Sequence, residues 1–135
     1  MEVQRYAVAH DCGTVINPML VDGQIHGGVA HGIGNALYEE VIHDESGQIL
    51  NGSYMDYYLP GAMEVPRMDV VHIETPTPLN PLGCKGAGEG GTIPAPTAVA
   101  LAIEDALSDL RVKVNRIPVS PERLHDAITQ AKQRL

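Results

Sequence analysis

The alternation of apolar and polar residues predicts a strand, a long helix and a second strand in the first part of the chain. Residues 3–9 and residues 69–75 alternate as half-buried strands do. Between them, residues 20–40 place apolar side chains at helical spacing. This helix contains five glycines, at positions 23, 27, 28, 32 and 34. Each one costs roughly 1 kcal/mol relative to alanine in a helix interior, so we expect the helix to approach a neighbouring backbone or a ligand closely.

The remaining segments predict a hairpin, two further helices and a third strand. Residues 41–50 alternate around the turn sequence DESG, and the five prolines within residues 76–96 exclude long regular structure there. Helical spacing follows over residues 98–110 and a strand pattern over residues 111–119, and Ser120 and Pro121 are typical residues for the start of a last helix. The mixed order predicts an α+β fold, and the absence of repeats or linkers predicts one domain over residues 1–135.

Composition and charge exclude several classes of protein. The chain carries a formal charge of −8 with dispersed lysines and arginines, whereas a nucleic-acid-binding surface needs a basic stripe. No stretch approaches the roughly 18 apolar residues of a membrane span, and the N-terminus lacks the pattern of a secretion signal. We therefore expect a cytoplasmic protein with no nucleic-acid partner and no membrane span. Phenylalanine and tryptophan are absent, so aliphatic side chains must form the core.

The sequence KGAGEGG, residues 85–91, surrounds the carboxylate of Glu89 with four glycines. Three of them match the G-x-G-x-x-G spacing of dinucleotide-binding loops. That motif also requires a buried strand directly before it and a helix starting at its end, and the prolines at 94 and 96 delay the helix here. Two interpretations carry more weight. In the first, the glycines supply turn conformations and Glu89 is a solvated surface charge. In the second, the glycines keep side chains away so that a ligand can reach the carboxylate of Glu89, which acts as a general base.

Other candidate sites have weaker support. His26 and His31 are five residues apart, about 140° around a helix, so they do not share a face as paired metal ligands would. Cys12 and Cys84 lack CxxC spacing, which argues against a zinc site or a disulfide framework. A Cys–His hydrolase site that uses these cysteines and His10 has no supporting local signature. We therefore expect two reduced thiols and no metal held by side chains of this chain.

Four segments of the chain together are similar to one known family. They are HDCGTVINP at residues 10–18, DGQIHGGVAHGIGNALYEE at 22–40, GSYMDYYLP at 52–60 and ETPTPLNPLGCKGAGEGGTIPAP at 74–96. In this order they resemble the C-terminal end of the large subunit of molybdenum hydroxylases, the family of xanthine dehydrogenases, aldehyde oxidases and aerobic carbon monoxide dehydrogenases. The resemblance implies that residues 1–135 are the C-terminal segment of a molybdopterin-binding domain, either as a fragment or as one piece of a split subunit.

The resemblance also implies roles for individual residues. Glu89 matches the glutamate beside the molybdenum, which implies a general base in a hydroxylation that takes its oxygen from water. The implied contacts to the cofactor are those of Gln24, Lys85, Gly86, Gly88 and Gly28. The implied cofactor is molybdenum–molybdopterin in the cytosine dinucleotide form, completed by residues outside this chain. The implied partners are the remainder of the large subunit, iron–sulfur and FAD subunits or domains, and a small-molecule substrate.

One position departs from the family pattern. His31 stands where the family usually has glutamine, which leaves open whether this residue contacts the cofactor or is a buried, hydrogen-bonded core histidine. Two hypotheses compete with an active segment: a catalytically silent remnant, and a small nucleotide-binding module that uses loop 86–91 for phosphate. The isolated chain is expected to bind no cofactor tightly, to be inactive and to self-associate through the glycine-rich face of helix 20–40.

Overall fold

The structure, a computed structural model, describes residues 1–134. Its elements in chain order are β1 (Arg5–His10), α1 (Pro18–Leu37), β2 (Arg67–His72), α2 (Ala95–Ala106), a short 3-10 helix (Ser108–Leu110) and α3 (Pro121–Lys132). β1 and β2 pair in parallel, from Arg5 opposite Arg67 to His10 opposite His72. A parallel pair needs a crossover connection, and α1 lies within it. The mixed helices and strands confirm the predicted α+β fold.

Helix α1 forms the centre of the core. It begins after the N-cap Asn17, whose side-chain oxygen accepts a hydrogen bond from the Leu20 amide at 3.2 Å. Its inner face supplies the largest fully buried side chains: Ile25, Val29 and Ile33. β1, α2 and the segment before α3 cover this face with Val8, Val99, Ile103 and Val119. The core is aliphatic, as the composition predicts.

The segment predicted as a third strand, residues 111–119, contains no strand. Arg111 adopts a left-handed φ of 53° at the end of the 3-10 helix. Beyond it, the Val114 amide donates to the Glu104 carboxylate at 2.8 Å, and the Val119 amide donates to the Ala36 carbonyl at 2.7 Å. The prediction was wrong because a side chain and the end of α1 take the hydrogen bonds that a neighbouring strand would have taken.

The predicted hairpin over residues 41–50 is reduced to a turn with a single antiparallel bridge between His43 and Ile49. The Asp44 carboxylate closes the turn by accepting hydrogen bonds from the Ser46 and Gln48 amides at 2.8 and 2.9 Å. These local bonds are typical of Asp in turns. The turn is therefore where the sequence predicts it, but regular strands do not extend from it.

The folded chain leaves much apolar surface uncovered. Its accessible area of 9235 Å² is roughly a third larger than the about 6,800 Å² expected for a compact monomer of 14.4 kDa. Met55, Met63 and Leu79 are each more than nine-tenths exposed. An apolar groove of about 540 Å³ lies between residues 1–6 and α2. Among the helices in residues 1–134, none combines the length and the hydropathy of a membrane span.

Candidate active site

The loop that carries Glu89 is anchored at its start to the end of β1. The Lys85 amide donates to the Cys12 carbonyl at 2.7 Å, which continues the bridge between Gly13 and Cys84. The Lys85 ammonium donates to Asp11 Oδ2 at 3.1 Å and to the Thr75 hydroxyl at 2.6 Å. Lys85, expected to contact the cofactor, therefore also holds the loop to β1 and to the segment after β2.

Asp11 is the residue on which these anchoring contacts converge. Its carboxylate accepts hydrogen bonds from the Thr75 hydroxyl, from the Gly13 amide at 2.8 Å and from Lys85. The Thr75 hydroxyl, followed by the Gly13 amide, lowers the pKa of the Asp11 carboxyl well below its usual range. The anchoring role of Asp11 was not predicted, although an Asp two residues before a Gly is a signal for a side chain that caps a turn.

The end of the loop packs against α1 where glycines replace side chains. A methyl group built on Gly91 would lie 2.4 Å from the Ile25 carbonyl oxygen, and one built on Gly28 would lie 2.8 Å from the Thr92 nitrogen. Backbone atoms cannot move aside as the tip of a side chain can. The predicted close approach of the glycine-rich helix to a neighbouring backbone is therefore confirmed at Gly28, which is buried beneath the loop rather than open to a ligand.

Glu89 itself is exposed, while its backbone is held. Its carbonyl accepts hydrogen bonds from the Thr92 and Ile93 amides, both at 3.1 Å. Its carboxylate makes no hydrogen bond or ion pair within residues 1–134. A methyl group added to Gly86 or Gly88, which precede Glu89 in the loop, would meet no atom within 4 Å in residues 1–134 beyond its chain neighbours, and neither glycine has a positive φ. Nothing in the described part of the chain therefore requires glycine at these two positions.

Gln24 and His31 lie on the same side of α1. Separations of three, four and seven residues bring Gln24, Gly27, Gly28 and His31 onto one stripe of the helix. Gln24, Gly27 and His31 are exposed, and Gly28 contacts the loop. His31 therefore does not belong to the core of this chain, and its contact with the cofactor stays a prediction. The stripe brings the exposed amide of Gln24 to the side of α1 on which the loop with Glu89 packs.

Comparison with known proteins identifies relatives of this chain. Residues 1–66 match the family model of the molybdopterin cofactor-binding domain. The chain is 46% identical over 123 residues to subunit gamma of the 6-hydroxypseudooxynicotine dehydrogenase complex of Paenarthrobacter nicotinovorans, covering 90% of this chain and 15% of the relative. It is 36% identical over 123 residues to the carbon monoxide dehydrogenase large chain of Afipia carboxidovorans, covering 91% and 15%. The chain is a relative of the molybdenum hydroxylase large subunits.

The fold of the chain agrees with that relationship. The crystal structure of quinoline 2-oxidoreductase from Pseudomonas putida 86 matches it with a TM-score of 0.93 at 46% identity, over 96% of this chain and 16% of that one. The family resemblance stated from the sequence is confirmed. The chain spans about 15% of the length of the curated relatives that it matches.

Residues 1–134 offer hydrogen-bonding groups rather than metal ligands. Within residues 1–134, no three His, Cys, Asp or Glu side chains converge as a metal site would require, and Cys12 and Cys84 are free thiols. The Gln24 amide and the backbone amides of Gly86 and Gly88 make no hydrogen bond in the described part of the chain. These groups fit a polar organic cofactor, because they leave unused donors on α1 and on the loop and open space beside Gly86 and Gly88.

Proposed function

We propose that this chain supplies the catalytic base and part of the cofactor site of a molybdenum hydroxylase. The observation that carries the proposal is the environment of Glu89, an exposed carboxylate without a partner in residues 1–134 on a loop anchored at both ends. A carboxylate kept for stability would have a cation or an amide beside it, as Asp11 has. The free carboxylate on a fixed backbone is what a general base requires.

In the proposed reaction, Glu89 moves a proton. Its carboxylate accepts the proton of the water-derived nucleophile, which increases the reactivity of that oxygen towards an electrophilic substrate carbon. When bound, the molybdenum cofactor supplies the centre that accepts the electrons removed from the substrate. Gly86 and Gly88 leave the carboxylate accessible, since neither carries a side chain that would lie between it and the reacting atoms.

The proposed cofactor contacts divide into two kinds. Gln24, Gly86 and Gly88 offer their unused amide groups directly to molybdopterin. Gly28 and Lys85 act on the loop: Gly28 makes room for Thr92, and Lys85 joins the loop to Asp11. The Lys85 side chain is still 37% exposed, which leaves its ammonium group accessible to an anionic part of the cofactor. The cofactor in this proposal is the cytosine dinucleotide form.

The proposal includes the partners that complete the enzyme. They are the remainder of the large subunit, iron–sulfur and FAD subunits or domains, and a small-molecule substrate. We propose that the assembled enzyme is cytoplasmic. The short span relative to the matched relatives and the large uncovered apolar surface support a fragment or one piece of a split subunit. Residues 1–135 are accordingly proposed to be the C-terminal segment of the molybdopterin-binding domain.

The fold does not favour a phosphate-binding role for loop 86–91. β2 ends at His72, well before the loop, and α2 begins only at Ala95, after Pro94. A phosphate loop of the dinucleotide-binding type connects a strand directly to a helix N-terminus, whose amides bind the phosphate. That arrangement is absent from residues 72–95, so we do not propose a nucleotide-binding module.

The source of the oxygen tests the proposed reaction. The assembled enzyme that contains this segment is allowed to turn over in water labelled with heavy oxygen, and the product is analysed by mass spectrometry. We expect the label in the hydroxylated product, including when dissolved dioxygen is unlabelled. A product that takes its oxygen from labelled dioxygen in ordinary water contradicts the proposed reaction class.

A further inference from the structure

His10, at the C-terminal end of β1, lies against the residue that follows Glu89. A methyl group built on Gly90 would lie 2.2 Å from His10 Nε2 and 2.3 Å from His10 Cδ2. The edge of the imidazole ring therefore contacts the Gly90 backbone directly. We infer that His10 is a positioning residue that acts on Glu89 through its contact with Gly90. This inference rests on the proposed function of Glu89.

The contact at Gly90 matters because the rest of the turn is fixed by other partners. The Glu89 carbonyl is held by the Thr92 and Ile93 amides, and Gly91 rests on the Ile25 carbonyl. The Glu89 carboxylate makes no hydrogen bond within residues 1–134, so its direction follows from the backbone that carries it. By confining Gly90, the ring of His10 limits how the peptide after Glu89 can rotate, and so where the carboxylate points.

His10 is itself held firmly. Its carbonyl accepts a hydrogen bond from the Ile73 amide at 2.9 Å, and the next residue is Asp11 with its contacts to Thr75 and Lys85. His10 Nδ1 is buried and makes no hydrogen bond in residues 1–134. Packing rather than a side-chain hydrogen bond therefore sets the position of the ring. Because the contact depends on packing, its direct test is to make residue 10 smaller and residue 90 larger, singly and together.

The test compares His10→Ala, Gly90→Ala and the double variant in the assembled enzyme. Each single variant should lower kcat by about 10-fold to 100-fold, because a displacement of about 1 Å at a reacting group can cost that much. KM and molybdenum content should change far less. In the double variant, the methyl group added at position 90 occupies the space vacated by the ring, so kcat should recover about tenfold relative to Gly90→Ala. Gly52→Ala, where the added methyl meets Ile49 at an ordinary 3.5 Å, is the control and should retain full turnover.

Thermal unfolding of the same variants provides a readout that does not depend on turnover. The thermal midpoint of the double variant should be higher than the sum of the two single effects predicts, because the methyl group at residue 90 no longer collides with the ring of His10. Unchanged kcat in His10→Ala overturns the inference, as does a double variant whose kcat loss is the product of the single losses.

Glu89→Gln, measured in parallel, separates this inference from the proposed function. Full turnover in Glu89→Gln contradicts the proposed function itself. Loss of turnover in Glu89→Gln together with normal kcat in His10→Ala contradicts the positioning role alone. Should Gly90→Ala fail to assemble, His10→Ala with normal molybdenum content still decides between the outcomes.

Discussion

Gly91 and Ile25 are in contact through their backbones, since a methyl group at residue 91 would lie 2.4 Å from the Ile25 carbonyl oxygen. The contact joins the loop that carries Glu89 to the turn of α1 that follows Gln24. The proposed base and the proposed cofactor contact are therefore on elements that touch directly. At Gly28, in the next turn of α1, the approach of the loop leaves no room for a side chain, which accounts for glycine there despite its cost in a helix.

The neighbouring glycines 27 and 28 should respond oppositely to alanine. A methyl group at Gly28 would meet the Thr92 nitrogen at 2.8 Å, and overpacking of this kind costs about 1–3 kcal/mol. A methyl group at Gly27 would have no tertiary contact within 4 Å in residues 1–134, so the gain in helix propensity should stabilise the chain by up to about 1 kcal/mol. Urea unfolding of the purified chain, followed by circular dichroism, measures both. Equal midpoints for the two variants would contradict the packing described.

The Asp11 network should make stability depend on pH in the acid range. The pKa of Asp11 is lowered in the folded chain, so its contribution is present above the unfolded value of about 3.9 and is lost as the pH falls towards the folded value. Asp11→Asn should therefore lower the thermal midpoint at pH 6, and the difference from the unaltered chain should shrink below about pH 4.

Asp105→Asn is the matched control for Asp11→Asn, because Asp105 is exposed and makes no side-chain hydrogen bond within residues 1–134. Its midpoint difference from the unaltered chain should stay small throughout the pH series. A difference for Asp11→Asn that is constant from pH 6 to about pH 3 would show that the carboxylate is not the stabilising species.

Local patterns were sufficient to predict most of the elements. Alternation predicted β1 and β2, and helical spacing with the Ser120 cap predicted the three α-helices, with ends displaced by a few residues. The prediction of a strand failed at residues 111–119. The backbone amides of Val114 and Val119 donate hydrogen bonds to Glu104 and Ala36 instead of to a neighbouring strand. Whether an alternating segment becomes a strand depends on a partner strand, and local sequence does not contain that information.

The candidate site depends on contacts between residues far apart in sequence. The pairs His10 with Gly90, Asp11 with Lys85, and Gly28 with Thr92 arise only once β1, α1 and the loop are assembled. Periodicity gave no indication of them. The roles of Glu89 and Gln24 came from the family resemblance, whereas the structure adds which glycines are required by packing and which are left open.

Gln24→Ala should reduce cofactor retention without unfolding the enzyme. Gln24 is exposed and its amide makes no hydrogen bond in residues 1–134, so its loss should not disturb the core. A lost hydrogen bond to a buried polar ligand costs roughly 1–3 kcal/mol. Molybdenum per assembled enzyme, determined by elemental analysis, should fall. Gln130→Ala, an exposed glutamine on α3, should leave it unchanged; full molybdenum content in both variants would contradict the assignment.

The isolated chain should self-associate and contain no molybdenum. The glycine-rich face of α1, expected to be the exposed surface, is partly covered, since Gly28 and Gly32 pack against the loop and α2. The groove between residues 1–6 and α2 and the exposed methionines provide apolar surface instead. Light scattering during gel filtration should therefore give a mass above 14.4 kDa. A monomer with stoichiometric molybdenum would mean that the site is complete within this chain.

The most direct measurement is turnover per molybdenum atom in the assembled enzyme that carries Glu89→Gln. The amide retains the size of the side chain but accepts no proton at neutral pH, so turnover should fall by about 10²-fold to 10⁴-fold while molybdenum content stays normal. Glu45→Gln, at an exposed turn, is the matched control and should retain full turnover. Unaltered turnover per molybdenum in Glu89→Gln would contradict the assignment of Glu89 as the general base.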